Sequence, residues 1–170
     1  MILLQIVWFF LPAYAANMAA SIFKIKFLSK PISEKLFGSH KTYSGFFTGT
    51  FLAILVIVLQ RILFKIDFFE NISLVDYSGD NYLLIGFLLG FGALFGDTLK
   101  SFFKRRIGIL AGDRWIPFDQ IDYTCGALLL SLFFWQPSLV FVISSIFLNL
   151  LFHIFFNHFG FWLGIRKSAW

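Results

Sequence analysis

The chain has 170 residues, of which 59% are hydrophobic and 21% aromatic, and its mean hydropathy is +0.82. Soluble domains are much more polar, so this composition excludes a water-soluble fold. It predicts an all-α, polytopic membrane helical bundle that forms a single domain over residues 1–170. The formal net charge of +5 is concentrated in short segments between apolar stretches. This charge therefore indicates membrane topology, and no nucleic-acid partner is expected.

Three apolar stretches of the N-terminal half predict the first three transmembrane helices. Residues 2–23 carry no charge and are long enough to cross the hydrocarbon. No Lys or Arg precedes this stretch, so we interpret it as a retained helix and not as a cleaved signal. Residues 42–60 form the second predicted span and residues 81–96 the third, which is short.

The C-terminal part predicts two further spans, for a total of five. Residues 123–165 are uncharged over about twice the length that one helix needs. Gln136-Pro137 divides this stretch, because proline lacks an amide hydrogen and disfavours helix at the residue before it. The fourth span is thereby predicted at residues 119–135 and the fifth after the proline.

The loops differ in charge, and this difference predicts the orientation. One connection is acidic, with Asp67, Glu70, Asp76 and Asp80. The basic segments hold Lys24, Lys26, Lys30, Lys35 and Lys41, then Lys100, Lys104, Arg105, Arg106 and Arg114, and finally Arg166 and Lys167. Because Lys and Arg concentrate in cytoplasmic loops, we expect the N-terminus outside and the C-terminus in the cytoplasm of a multi-pass cell-membrane protein.

The strongest candidate site follows the third predicted span. Asp97, Lys100 and Lys104 stand at positions i, i+3 and i+7, so they share one face if the helix continues. Asp119 and Asp122 lie one turn apart at the start of the fourth span. Three carboxylates at one membrane boundary suit Mg²⁺, a hard cation that binds carboxylate and phosphate oxygens.

Structural roles compete with this interpretation. Asp119 could equally well cap the fourth helix, and Lys104, Arg105 and Arg106 could be only a positive anchor. The expected depth of the carboxylates in the membrane favours the functional interpretation, because a fourth span of residues 119–135 is short and places its carboxylates near hydrocarbon. Unpaired charges are costly there and usually functional.

A second polar cluster precedes the second span. Lys41 and Thr42, with the free amides of a helix start, form a plausible phosphate site. Capping by Thr42 beside an anchoring Lys41 is the favoured alternative for the cluster on its own.

Polar residues also occur inside the spans. Asn17 follows a proline in the first span, which suggests a kink that lines a cavity. Asn149, His153 and Asn157 recur every four residues and form one stripe on the last span. We interpret this stripe chiefly as interhelical hydrogen bonding, with ligand contact as the alternative.

Taken together, these elements resemble the CDP-archaeol synthase family. The resemblance is carried by Leu11-Pro12-Ala13-Tyr14-Ala15-Ala16-Asn17, Lys41-Thr42 with Gly45, Gly96-Asp97 to Arg106, and Pro117-Phe118-Asp119-Gln120-Ile121-Asp122. The chain is also distantly similar to CDP-diacylglycerol synthases. It lacks the His-Gly-Gly segment that those larger enzymes carry before their last Asp pair, and this favours the archaeol branch.

The resemblance implies a membrane cytidylyltransferase of phospholipid synthesis. The enzyme would transfer CMP from CTP or dCTP to an isoprenoid ether glycerophosphate, a lipid phosphate in the bilayer, and would form CDP-archaeol and pyrophosphate with Mg²⁺. Under this hypothesis the metal ligands are Asp97, Asp119 and Asp122, the catalytic residues are these three and Lys104, and the substrate-binding residues are Asn17, Lys41, Thr42, Lys100 and Arg105.

Two alternatives stay open at this point. The same chemistry could act on a diacyl lipid phosphate, because either lipid needs only a long apolar groove. A small-solute membrane transporter subunit would also carry polar residues inside its spans, but its activity would not depend on CTP. Glycines four residues apart fit packing within a monomer or between subunits, so the sequence predicts no particular oligomeric state.

Overall fold

The computed structural model of the chain describes residues 1–110, 113–162 and 164. Within these residues the regular structure is helical, with one isolated bridge between Pro31 and Thr42 and no strand. The helices are α1 (Ile2–Ile22), α2 (Glu34–Phe37), α3 (Tyr43–Leu63), α4 (Asp67–Ile72), α5 (Tyr82–Arg106), α6 (Phe118–Ser131) and α7 (Leu139–Trp162), with a short 3₁₀ turn at Lys26–Leu28. The prediction of an all-α membrane bundle is confirmed.

Four helices are long and apolar enough to cross a membrane. They are α1, α3, α5 and α7, each of at least 21 residues. Helix α6 occupies the place of the predicted fourth span but has 14 residues, which corresponds to about 21 Å. Four candidate spans are thus found in the described part of the chain, and the count of five stays a prediction. The basic tail at Arg166 and Lys167 lies outside the described residues.

The core is organised around α5, which packs against α1, α3 and α6. The opposite faces of the helices are apolar and uncovered. Along α3, for example, Phe47, Phe51, Leu55 and Leu59 recur every four residues and are all exposed. An exposed apolar stripe of this kind is suited to lipid and unsuited to water.

Glycine brings α5 and α6 unusually close together. A side-chain Cβ added at Gly92 would stand 2.7 Å from the carbonyl oxygen of Gly126, and one added at Gly96 would stand 2.9 Å from the Cα of Gly126. Only residues without a Cβ permit such an approach of two backbones. This contact holds the start of α6 beside residues 96–104 of α5, where the candidate site residues lie.

Helix α5 continues beyond the apolar stretch and ends where glycine permits a left-handed turn. Gly108 has a φ of +81°, the Ile109 amide donates to the Lys104 carbonyl at 2.9 Å, and the Gly108 amide donates to the Arg105 carbonyl at 3.3 Å. These two hydrogen bonds form a Schellman motif. The helix therefore includes Asp97, Lys100 and Lys104, as the spacing of the site required.

The two ends of the bundle differ in charge, and we call them the acidic and the basic end. At the acidic end the Trp8 indole donates to Ser73 Oγ at 2.8 Å. The loop that follows holds Asp76, whose pKa is lowered by hydrogen bonds from Ser78, so this loop stays negatively charged. The basic end carries Lys41 and the C-terminal turns of α5.

The segment that follows α6 lies at the acidic end. The ring of Trp135 lies 5.0 Å from that of Phe9, next to Trp8. Asp119, by contrast, lies beside Lys104 at the basic end. Residues 119–135 therefore extend from one end of the bundle to the other, although only residues 118–131 are helical.

Candidate active site at the basic end

The centre of the site is an ammonium group surrounded by three carboxylates. Lys100 Nζ lies 3.2 Å from Asp97 Oδ1, 2.9 Å from Asp119 Oδ1 and 2.8 Å from Asp122 Oδ2. Lys100 and Asp97 come from one face of α5, and the other two carboxylates come from the first turns of α6. The structure thus brings together the three Asp residues that the sequence predicted as one cluster.

Two further lysines complete the charge balance. Lys41, from the loop before α3, pairs with Asp97 Oδ2. Lys104 lies 3.1 Å from both oxygens of Asp119 and also donates to the carbonyl of Asp113. Each carboxylate therefore has at least one ammonium partner, which is necessary for charges enclosed to this degree.

The carboxylates converge on one cation, and that cation is Lys100. Among residues 1–110, 113–162 and 164, no three His, Cys, Asp or Glu side chains are grouped so as to hold a metal ion. Mg²⁺ binds oxygen at 2.0–2.1 Å. Asp97, Asp119 and Asp122 can therefore become metal ligands only if the Lys100 ammonium leaves their centre and the carboxylates draw closer together.

A first cavity at the basic end lies between α1, α3 and α5. Its volume is about 360 Å³. Its polar wall contains Asn17, Lys41, Thr42, Asp97 and Thr98, and its apolar wall contains Ala20, Phe46 and Leu94. Asn17 thus lines the same cavity as Thr42, the residue that caps α3. This cavity combines a charged end with an apolar flank.

The second cavity lies between α5, α6 and α7 and has a volume of about 330 Å³. One wall is cationic, with Lys41, Lys100, Lys104, Arg105 and Arg114. Arg105 donates to the carbonyl of Ile109, and its buried Nε has no partner within the described residues. Asp113 and Asp119 also line this cavity, but cations are in excess, and such an excess is suited to a polyanionic ligand such as a triphosphate.

Several predicted residues have structural roles as well. Thr42 caps α3, its Oγ1 accepting from the Gly45 amide at 3.1 Å, so the capping interpretation holds, although Thr42 also lines the first cavity. Asp119 accepts a hydrogen bond from the Trp115 amide, which ties the preceding loop to α6. Arg106 points away from the site, with its guanidinium 5.1 Å from the Phe102 ring centre.

The polar stripe of α7 divides between two roles. Asn149 Oδ1 accepts hydrogen bonds from the Tyr14 hydroxyl at 2.6 Å and the Tyr123 hydroxyl at 3.1 Å, so interhelical bonding is correct for this residue. His153 and Asn157 line the second cavity instead. The sequence analysis assigned none of His153, Asn157, Gln120 and Arg114 to the site. The four-residue spacing of His153 and Asn157 indicated a common face of α7 but not what that face contacts.

A buried site of balanced charges between lipid-exposed helices defines an integral-membrane protein built to bind charged substrates at the membrane boundary. Comparison with known proteins identifies its family. Residues 1–170 match the family CarS-like, CDP-archaeol synthase. The chain belongs to the CDP-archaeol synthase family, and its function is the formation of CDP-archaeol.

Described CDP-archaeol synthases are similar to this chain over most of its length. The CDP-archaeol synthase of Methanococcoides burtonii is 32% identical over 94% of this chain and 99% of its own length. That of Methanospirillum hungatei is 36% identical over 81% and 82% of the two chains, and that of Methanopyrus kandleri 34% over 96% and 91%. The described fold is also similar to a solved structure of an intramembrane enzyme for archaeal membrane lipid biosynthesis. That similarity has a TM-score of 0.67 at 23% identity and covers 89% of this chain and 91% of the other.

Proposed function

We propose that the chain transfers CMP from CTP, or dCTP, to an isoprenoid ether glycerophosphate and releases pyrophosphate. The observation that carries this proposal is the position of Lys41, which lines both cavities and pairs with Asp97 between them. A reaction between two phosphorylated substrates needs a site for each and a cation where they meet. The first cavity is assigned to the lipid phosphate and the second to the nucleotide.

The lipid assignment rests on the mixed character of the first cavity. Asn17, Lys41 and Thr42 are candidates to receive the phosphate group, and Phe46 and Leu94 form part of the apolar wall. The isoprenoid chains would extend from there toward the surrounding lipid. A diacyl lipid phosphate has the same head group, so an assay must compare the two lipids directly.

The nucleotide assignment rests on the cationic wall of the second cavity. An oxygen of the lipid phosphate attacks the α-phosphorus of CTP, the bond from that phosphorus to the oxygen that bridges to the β-phosphate breaks, and pyrophosphate leaves with that oxygen. A phosphate monoester is largely ionised at neutral pH and needs no general base. Lys100, Lys104 and Arg105 neutralise the charge that develops on the leaving group.

Asp97, Asp119 and Asp122 are the proposed ligands of Mg²⁺. Their common approach to Lys100 Nζ, within 3.2 Å, supports this assignment because one cation is already within reach of all three. When bound, Mg²⁺ would neutralise the nucleotide phosphates. Lys100 would then leave the carboxylate cluster and would be available to the pyrophosphate.

We also propose five membrane crossings, with the basic end and the active site in the cytoplasm of the cell membrane. The path of residues 119–135 between the two ends supports the fifth crossing, which then includes α6 and the non-helical residues after it. The acidic loop around Asp76 and the basic charges near Lys41 support the orientation. Contacts of α5 with α1, α3 and α6 support a single domain.

The direct test is an assay with the purified protein, radiolabelled CTP or dCTP, Mg²⁺ and a panel of lipid phosphates. We expect a labelled CDP-lipid with the isoprenoid ether phosphate and little product with diacyl phosphatidic acid. Comparable product from both lipids would contradict the assigned lipid class. Absence of product from every lipid phosphate would contradict cytidylyl transfer itself.

Single substitutions test the assigned residues in the same assay. Asp97→Asn, Asp119→Asn and Asp122→Asn keep side-chain size and remove the charge, so each should lose Mg²⁺-dependent turnover. Asp67→Asn is the matched control, because Asp67 begins α4 at the acidic end. Full activity in all three site variants would mean that these residues have a purely structural role.

A further inference from the structure

The lining of the second cavity includes three neutral polar side chains besides its cationic residues. The neutral wall, as we use the term, consists of Gln120 from the start of α6 and His153 and Asn157 from α7. The proposed phosphate chemistry uses none of these three side chains. Gln120 is only 5% exposed and Asn157 only 7%. Polar side chains buried to this extent normally have hydrogen-bond partners.

Gln120 is the member of the wall that points to a ligand. Its Oε1 is buried and has no hydrogen-bond partner among the described residues. Gln60 at the acidic end also has an unpartnered Oε1, but it lines neither of the two basic-end cavities, and its Nε2 is held by the Trp8 carbonyl at 2.6 Å. Gln120 differs because it lines a cavity that a ligand can enter. It is an acceptor that a donor on that ligand would satisfy.

His153 and Asn157 add two adjacent polar side chains of α7 to the wall. Asn157 Nδ2 lies 3.0 Å from His153 Nδ1. An imidazole beside an amide makes this part of the cavity lining polar, which suits a heterocycle that carries hydrogen-bonding groups.

This inference rests on the proposed function, in which the nucleotide triphosphate occupies the cationic wall. The base is then the part of the nucleotide left to meet the neutral wall. We propose that the neutral wall binds the cytosine base and that Gln120 Oε1 accepts a hydrogen bond from its exocyclic amino group. Uracil has a carbonyl oxygen at the same position and would set one acceptor against another. A site built around a substrate N–H strongly rejects an analogue that lacks it.

The test compares CTP with UTP on the same lipid phosphate, with kcat/KM measured for each. We expect wild type to prefer CTP by more than about a hundredfold. Gln120→Met should lower kcat/KM for CTP by at least about tenfold and change that for UTP by less than about twofold. Gln120→Glu keeps an acceptor at the same place and should keep the preference for CTP. Gln60→Met, the matched control, should leave the preference unchanged.

The outcomes separate this inference from the function beneath it. If wild type uses CTP and UTP equally well, the proposed recognition of the cytosine base is wrong, whereas the proposed nucleotidyl transfer still stands. No product with either nucleotide overturns both. A proportional loss with CTP and UTP in Gln120→Met assigns Gln120 a structural role and overturns the proposal. If Gln120→Met does not fold, Gln120→Glu decides, because loss of the CTP preference in that variant contradicts the proposed hydrogen bond.

Discussion

Lys100→Met removes the ammonium group on which Asp97, Asp119 and Asp122 converge. Lys100 is 15% exposed in its side chain, so solvent screens these charges only weakly. Breaking a buried ion pair by removing one partner costs roughly 3–5 kcal/mol, because the remaining charge is left uncompensated. For a chain of this size that corresponds to a fall in Tm of roughly 6–20 °C.

The same variant should acquire a response to divalent cations. With Lys100 absent, the centre of the carboxylate cluster is accessible to Mg²⁺ without nucleotide. Binding at 100 times Kd would restore about 2.7 kcal/mol. Wild type should gain little from Mg²⁺ alone, since its own ammonium occupies that place.

Thermal unfolding in detergent, with and without MgCl₂, measures both effects, and Mn²⁺ binding followed by electron paramagnetic resonance reports the site directly. Lys26→Met is the matched control, because Lys26 is exposed in the 3₁₀ turn and has no carboxylate partner among the salt bridges of the described residues. A Lys100→Met protein that unfolds at the wild-type temperature, or that binds Mn²⁺ no better than wild type does, would refute the reasoning.

Three further predictions follow from the geometry. Lys104→Gln should lower kcat at least tenfold, because it removes about one charge-assisted contact to the leaving group. Arg106→Gln should keep a kcat near that of wild type, because Arg106 stacks on Phe102 outside the cavity. Similar mild losses of kcat in both variants would indicate that these residues only anchor the helix. Gly96→Ala should cost about 1–3 kcal/mol in thermal unfolding, because its Cβ would meet the Gly126 backbone, while Gly79→Ala, with nothing within 4 Å, should be neutral. In a Cys125→Ser background, an impermeant thiol reagent added outside should label Asp76→Cys but not Ser33→Cys, and the reverse labelling would place the site outside the cell.

The helices were largely predictable because hydropathy and capping are local. The apolar stretch at residues 42–60 became α3, which begins after the capping residue Thr42. The fourth stretch was predicted to reach residue 135, but α6 ends at Ser131. Pro137 explains part of this difference, because it has no amide hydrogen to donate to the carbonyl four residues earlier. Residues 132–135 nevertheless continue to the acidic end without helical geometry.

The centre of the site was predictable from spacing, and its second cavity was not. A helix that continues past Asp97 must place Lys100 and Lys104 on the same face, so the sequence could indicate the cluster. The presence of His153 in the lining of the second cavity depends on where α7 packs at the basic end. That position is set by contacts far apart in sequence, such as Tyr14 with Asn149, which no local pattern indicates.

The arrangement also explains how a site for two polyanions stays folded before either arrives. Asp97, Asp119 and Asp122 pair with Lys41, Lys100 and Lys104 and thereby hold these lysines at the proposed phosphate sites. Under the proposed mechanism, an entering phosphate would replace a carboxylate as the partner of a lysine, and a divalent cation would replace a lysine as the partner of the carboxylates. Under the proposed mechanism, binding is then an exchange of ion pairs at the membrane boundary. Such an exchange avoids leaving charges unpaired near hydrocarbon, where they are costly.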